Sequence, residues 1–435
     1  MTADPNDTAH SAFRLAEKHF KNRATPDFPA LKDLPLSLCA PVLDLSRPAH
    51  QPQPLNDEVW DAGWWGASYA PAVPPPRFRR KGKERARGER PEQDLAGVAM
   101  LQLKDGRAGY VVAEGCILIP GYLAPPAQEA LLLTALAEYT LPPNPLSLDT
   151  HYRVPPDLFA AYLSEPDTLI APRHYEFDEA QRIQLEAASK ATKGPRPLIE
   201  TAPAATLGYD EVKRRNATWT GDAASLKLGS KSVAALIKEL RWANLGWVYQ
   251  WSTKSYDFST ETPIPFPVPM KDMCRAVVAS VPWAEVFTAD EEEPDWQAWE
   301  KDYEPDTGIV NYYQLKDTLM AHVDRSELDP SRPLISVSLG HACIFLLGTS
   351  SRADPPRPVL LRSGDVLVMS GRGRQAYHGV PRILEGTLPA HFQEREGDSE
   401  AMKGAKRWVQ AGARVNVNAR QVFPPGFKMP AAEVN

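Results

Sequence analysis

Cysteine is scarce in this chain of 435 residues: Cys39, Cys116, Cys274 and Cys343 lie far apart, with no CxxC pair. That excludes a disulfide framework and a cysteine-built zinc site, and it fits a reducing compartment. Long apolar runs are missing as well. No stretch approaches the roughly 18 apolar residues that a membrane-spanning helix needs, so no membrane partner is expected. An excess of positive charge is also lacking: the formal net charge is −6, so any nucleic-acid binding must come from local basic patches. The N-terminus has no apolar core of the signal-peptide kind. A pattern around Phe13, Leu15 and Phe20 has the look of a transit peptide, but Asp4, Asp7 and Glu17 count against it. The expectation is a soluble intracellular monomer of the nucleus or cytoplasm, with the mitochondrion as a further candidate.

Proline, by contrast, is abundant: 43 residues, about twice the usual share of roughly 5%. Residues 1–95 read as Pro-rich and largely irregular, with a short helix at 9–22, the tract PAVPPP at 71–76 and a basic run from Arg77 to Arg90. The basic run cannot bury enough apolar surface to order itself alone. It reads as a nuclear-import signal, a tether for phosphates or a solvated linker. From about residue 110 the pattern changes. GYVVAEGCILIPGYL reads as a strand and turn, PAQEALLLTALAEY as a helix entered through Pro125 and Pro126, and 176–192 and 230–241 as short helices. In Gly246-Trp-Val-Tyr-Gln-Trp251 the alternation is strand-like and puts Trp247, Tyr249 and Trp251 on one face, as core or as a base-stacking platform. The last third carries short runs rich in Val, Ile and Leu (GIVNYYQL, PLISVSLG, ACIFLLG, PVLLRSGDVLVMSG, ARVNVNARQV), each bounded by Gly, Pro, Ser or Asp. Such spacing predicts a β-sandwich or jelly roll.

Chemistry enters with His322-Val-Asp324. In an extended segment residues two apart share a face, so the imidazole and the carboxylate converge. His378, just past a strand and a Gly/Arg turn, is the natural third ligand. Two histidines and a carboxylate leave open positions on octahedral Fe(II) for a co-substrate and O2. An isolated HxD is weak, but three features strengthen it. Period-two alternation puts Arg414, Asn416, Asn418 and Arg420 on one face of the last strand. Four polar residues facing into a β-domain are costly unless they bind an anion, and a dicarboxylate suits two guanidinium groups; the alternative is a solvated face of an edge strand. Asn311 and Tyr313 offer an amide and a phenol at alternate positions, although a core role is open for Tyr313. Arg362-Ser-Gly-Asp365 reads as a hairpin turn upstream of His378.

The runs NYYQLKDTLMAHVDRSELDPSRPLISVSLG, SGDVLVMSG, YHGVPRIL and ARVNVNARQV resemble the AlkB family of Fe(II)/2-oxoglutarate dioxygenases. HVDRSELD, ACIFLLG and LRWANLGWVYQWSTKSY resemble its AlkB homologue 1 subgroup most closely. The resemblance spans roughly 236–423 and weakens back to about 110. It implies an α+β chain whose core is a double-stranded β-helix (jelly roll), with an N-terminal helical and loop extension and a nucleotide-recognition lid. The expected parts are the irregular region 1–95, the extension and lid at 110–300, and the dioxygenase core at 301–425. The cofactors implied are Fe(II) on His322, Asp324 and His378, then 2-oxoglutarate on Asn311, Tyr313, Arg414, Asn416 and Arg420, then O2. Arg414, paired with Tyr313, is the candidate for the distal carboxylate. Substrate contacts are assigned to Arg325, Ser326, Glu327, Trp251 and Tyr249.

One departure from the family pattern bears on substrate. Repair-type members carry HxDxD, and here the second acid is replaced by Ser326, which weakens the case for a cationic alkylated base such as 1-methyladenine. Asn418 is a milder departure. The implied reaction is hydroxylation of a methyl group, which on nitrogen collapses to formaldehyde and leaves the base demethylated. A base within a duplex cannot reach such a site, so the expected partner is methylated nucleic acid, either tRNA or unpaired or bulged DNA. Lys190-Ala-Thr-Lys193, Arg196 and Lys213-Arg-Arg215 add basic groups to the run at 77–90. Two alternatives stand beside this reading. One is a demethylase of methyl-lysine in proteins such as histones; the other is a nucleic-acid binder with a vestigial site, which the intact triad argues against.

Overall fold

Alternation of apolar and polar residues decides what each strand buries on either side. The structure, a computed structural model, describes residues 11–21, 42–45, 97–191, 203–218, 224–259, 263–287 and 295–428. The Pro-rich tract at 71–76, the basic run at 77–90, Lys193 and Arg196 lie outside the described residues.

The strands, in chain order, are β1 (Ala99–Gln102), β2 (Ala108–Ala113), β3 (Cys116–Ile119), β4 (Leu169–Ile170), β5 (Lys231–Ser232), β6 (Trp242–Gly246), β7 (Tyr249–Gln250) and β8 (Ser255–Tyr256). The last third supplies β9 (Thr307–Gln314), β10 (Leu319–His322), β11 (Leu334–Gly340), β12 (Cys343–Leu347), β13 (Arg357–Leu361), β14 (Val366–Met369), β15 (His378–Ile383) and β16 (Ala413–Arg420). Eight form one antiparallel sheet in the order β1-β2-β3-β14-β11-β16-β9-β6, and four form a second in the order β10-β15-β12-β13. The pairs β4–β5 and β7–β8 are separate ribbons.

The runs expected as strands in the last third are strands, and Arg362-Ser-Gly-Asp365 is the turn joining β13 to β14. Asp365 closes that turn by accepting from the Arg362 amide at 2.7 Å and the Gly121 amide at 2.8 Å. On β11, Ile335, Val337 and Leu339 face a cluster built with helix residues such as Leu132, Val277 and Trp408. On β16, Val415 and Val417 join the same cluster. The opposite faces look toward the second sheet, where Tyr110, Leu118, Leu334, Phe345, Leu361 and Val380 interlock. The polar residues of β16 therefore point between the sheets. Because β16 pairs with both β11 and β9, it is a central strand and not a solvated edge.

Three expectations change. Residues 99–119 and 242–246 are not an extension before the core, because β1–β3 and β6 are strands of the eight-stranded sheet itself. GYVVAEGCILI is a two-stranded hairpin, β2 and β3, and not a single strand. The stretch 246–251 is not one strand. Gly246 has φ +71°, and a Cβ there would sit 2.0 Å from the Asp306 carbonyl oxygen, so the chain turns sharply on glycine before β7. Trp247 consequently leaves the pocket side and packs with Phe258 and Phe423. The helices expected at 9–22, in PAQEALLLTALAEY (126–139), at 176–192 and at 230–241 are present as Ala12–Lys21, Pro125–Ala137, Glu179–Ala191 and Val233–Glu239. Among the described residues no helix is long and apolar enough to cross a membrane.

The N-terminal region contributes more than irregular chain. Phe13, Ala16 and Phe20 of its helix, with Val42, cover the outer face of the smaller sheet at Ile344, Leu346 and Leu360. Leu43 forms a parallel bridge with Val359, and Asp44 is ion-paired with Arg362.

Asp306 ties the ends of β6, β9 and β16: its carbonyl takes the Trp247 amide at 3.4 Å, and its carboxylate takes the Val422 amide at 2.8 Å. Burial pushes its pKa from 3.8 up to about 7, against the pull of its backbone donors. An acid raised on folding stabilises below its unfolded value, and that contribution is lost as pH rises through the folded value. Thermal unfolding should therefore show a Tm that falls between about pH 4 and pH 7, and Asp306→Asn should flatten that fall. An equal fall in the variant would place the cause elsewhere.

Candidate metal centre and anion pocket

His322 ends β10 and His378 begins β15, and the two are cross-strand partners. Their rings lie 4.3 Å apart between centroids. Past His322 the chain leaves the sheet and brings Asp324 between them, with its carboxylate oxygens 3.9 Å from the Nε2 of each histidine. One ligand atom from each residue lies within 4.8 Å of the others, the spacing of a shared cation.

Hydrogen bonds fix the tautomers. The Nδ1 of His322 lies 2.9 Å from the Met320 carbonyl, and that of His378 lies 3.0 Å from the Ala376 carbonyl. A carbonyl only accepts, so each Nδ1 carries a proton and each Nε2 is the nitrogen that faces Asp324. Burial, followed by the neighbouring His322, lowers His378 to about 4, so it is neutral at physiological pH. Burial pulls the Asp324 carboxyl upward, but the Arg420 guanidinium beside it outweighs that and holds the group well below the usual carboxylate range. Two imidazole nitrogens and a carboxylate are the donor set that divalent iron takes.

The anion side of the pocket stands on β9 and β16. Register pairs Tyr313 with Arg414 and Asn311 with Asn416, and all four line the pocket with Asn418, Arg420 and the triad. Arg414 is 1% exposed. It donates to the His341 carbonyl at 3.0 Å and the Ser338 hydroxyl at 2.7 Å, which holds its plane, while its Nε is buried without a partner among the described residues. Burial lifts the Tyr313 hydroxyl far above its ordinary range, so it stays a neutral donor. The two sit where a carboxylate of a small dianion would satisfy both.

The structure separates the remaining sequence candidates. Asn416 spends both amide protons inside the sheet, on the Ser336 hydroxyl at 2.8 Å and the Val337 carbonyl at 3.0 Å, so it ties β16 to β11 and has no donor left for an anion. Arg420 lies at the metal end, where Nη1 is 2.6 Å from Asp324 and Nε is 3.1 Å from Glu327. Glu327, expected as a substrate contact, is fully buried and enclosed by Arg420, by Arg374 at 3.0 Å and by the Tyr256 hydroxyl at 3.2 Å. A carboxylate so enclosed serves the interior and not a ligand. Ser326 donates to the Lys254 carbonyl at 3.1 Å, and Arg325 leans on Tyr377 with its Nη2 3.3 Å from the hydroxyl. Trp251 is 39% exposed at the pocket's lip, with Tyr249 edge-on at 5.0 Å. Of the basic runs, Arg214 and Arg215 both bind Glu211, and Lys190 lies 3.9 Å from Glu186.

Sequence reasoning missed Arg374, Tyr256 and Phe345. Arg374 sits in the short helical turn Gly371–Gln375, where an arginine following a glycine looks like any surface loop. Phe345 on β12 lies nearly parallel to the His378 ring at 5.8 Å and reads in sequence as one more core aromatic. Tyr256 follows Trp247, Tyr249 and Trp251 in sequence, but nothing in that spacing marks its hydroxyl as a partner for an acid.

Residues 210–420 match the family described as the 2OG-Fe(II) oxygenase superfamily, which leaves the N-terminal helix outside the match. The chain is 37% identical to the tRNA demethylase abh1 of Schizosaccharomyces pombe, over 50% of this chain and 66% of that protein. It is 36% identical to the DNA N(6)-methyladenine demethylase ALKBH1A of Arabidopsis thaliana (49% and 56%) and 38% identical to the human nucleic acid dioxygenase ALKBH1 (45% and 49%). The chain thus spans between about half and just under two thirds of these relatives.

Removing Arg420 leaves the buried Glu327 and the half-buried Asp324 without their shared cation, a loss of about 3–5 kcal/mol for a broken buried pair. Urea unfolding of Arg420→Met should show a loss of this size, and adding Glu327→Gln should recover part of it. If the two changes simply add, the charge chain is not coupled.

Proposed function

This chain belongs to the AlkB family within the 2OG-Fe(II) oxygenase superfamily, and from that premise we propose that it removes methyl groups from bases of nucleic acid. The observation that carries the reading is the union, in one pocket, of the triad His322, Asp324 and His378 at the smaller sheet with the buried pair Arg414 and Tyr313 on the facing, larger sheet. His322, Asp324 and His378 would hold Fe(II), which with 2-oxoglutarate and O2 supplies the oxidising power to hydroxylate a methyl group. Arg414 and Tyr313 would take the distal carboxylate of 2-oxoglutarate and turn its other end toward the triad. Arg420 keeps Asp324 ionised and oriented. Phe345 and Leu361 wall the pocket with apolar surface and exclude water.

The three relatives are named for tRNA, for N6-methyladenine in DNA and for nucleic acid, which supports a methylated base as the substrate. Ser326 favours a neutral methylated base over a cationic one, because the carboxylate that would face a positive ring is absent at that position and Glu327 is turned inward onto two arginines. Trp251, with Tyr249 behind it, offers the stacking surface at the lip for a base that has left its stack, which favours unpaired strands and loops.

The test is turnover with Fe(II) and 2-oxoglutarate on methylated tRNA stem-loops, single-stranded and bulged DNA, and methyl-lysine peptides. Succinate and formaldehyde should form together with a nucleic acid and not with the peptides, and His322→Ala should abolish both. Trp251→Ala should raise KM roughly 10-fold or more with little change in 2-oxoglutarate affinity, as expected for a lost stacking contact of about 1–3 kcal/mol. Turnover on peptides alone would overturn the nucleic-acid reading.

A further inference from the structure

The helix Ala12–Lys21 buries Phe13, Ala16 and Phe20, the one-sided stripe of a docked helix. The same face carries Glu17, which is only 3% exposed. A carboxylate inside an apolar contact is costly unless it is fully hydrogen-bonded, so its partners disclose its use. One oxygen accepts from Arg14 Nη1 at 2.9 Å. The other accepts the backbone N–H of Ala321 at 2.6 Å, from a residue 304 positions distant in sequence and immediately before His322.

The strand that receives this bond needs it. β10 is the outer strand of the four-stranded sheet, and its pairing with β15 shifts register between Leu319 and His322, so the ladder alone defines the end of β10 poorly. The Ala321 carbonyl is held as well, by Arg352 Nη2 at 3.3 Å, and the Arg352 carbonyl accepts the Phe13 amide at 3.1 Å. The loop closes on the helix that supplies Glu17. The contact extends to the second histidine: the Arg352 guanidinium lies over the ring of Tyr377, the residue before His378, at 4.6 Å. Phe13 fits against Gly348, where a Cβ would meet its ring at 2.9 Å, so a larger residue there would lift the helix.

We propose that Glu17 is a positioning residue for the metal centre: the N-terminal helix clamps Ala321, and through it fixes the His322 imidazole opposite His378. The proposal rests on the metal-centre reading only for its consequence. The clamp itself is a property of the metal-free chain, and the experiment keeps the two apart.

The full-length protein is compared with Glu17→Ala and Glu17→Gln by hydrogen–deuterium exchange without metal, and by Co(II) titration followed in the visible spectrum. Loss of a charged hydrogen-bond partner corresponds to roughly a 10-fold change. In Glu17→Ala, exchange over 319–323 should quicken by about that factor while β12 and β14 keep wild-type rates, and Co(II) affinity should fall similarly. Glu17→Gln, which keeps an oxygen for the amide, should restore part of both. If Glu17→Ala fails to fold, Glu17→Gln alone decides, through a smaller change confined to 319–323. Unchanged exchange at 319–323, or loosening spread evenly over the whole sheet, would overturn the clamp. Local loosening with wild-type Co(II) affinity would overturn its role at the metal. Failure of the wild-type protein to bind Co(II) would sink the metal-centre reading, with the exchange data still deciding the clamp.

Discussion

A carboxylate held ionised between two histidines is the condition on which this site depends, and a chain of alternating charges maintains it. Asp324 rests on Arg420, Arg420 on Glu327, and Glu327 on Arg374. None of these charges would be tolerable alone inside a β-sandwich, but each is bracketed by its opposite, and Tyr256 and the Arg332 carbonyl satisfy further polar atoms. The chain joins three separate pieces of sequence: the segment after β10, the end of β16 and the turn after β14. The site and this part of the fold thus share their most demanding interaction, and a change in one member reaches the metal ligands through charge and not through shape.

The same strand that ends this chain begins the anion pocket. β16 runs centrally through the larger sheet, and its alternation divides the work: valines toward the helices, polar groups toward the other sheet. Arg414 stands at one end against His341 and Ser338, and Arg420 at the other against Asp324. Asn416 between them fastens β16 to β11. The two arginines therefore meet different partners, one beside Tyr313 at the far end of the pocket and the other on Asp324 of the triad.

What was legible in the sequence was periodic or local. RVNVNAR, with its period of two, placed the polar face because a strand projects alternate residues to the same side, while HVD marked two ligands although the strand ends at His322 and Asp324 lies just past it. The RSGD turn and the proline-led helix at 125 were legible from backbone chemistry. What escaped depended on partners distant in sequence. Glu327 looked like a ligand-facing acid because it neighbours the triad, yet its burial is set by Arg374 and Arg420. The aromatic alternation at 246–251 was interrupted by the close approach of Gly246 to Asp306, which no periodicity discloses. Membership of β1–β3 in the larger sheet followed from pairing with β14. The helix at 12–21 was visible as a pattern, but its role lies in a carboxylate meeting an amide three hundred residues away.

Triad and arginine act as one site when a dianion bridges them only with a cation in place. Calorimetric titration of 2-oxoglutarate into the full-length protein, with and without redox-inert Mn(II) under argon, tests it directly. The account predicts binding of one 2-oxoglutarate per chain that is strengthened at least about 10-fold by Mn(II), because a carboxylate otherwise faces Asp324 without a cation between them. Equal binding with and without Mn(II) would contradict it, by showing that the arginine pocket and the triad act as separate sites.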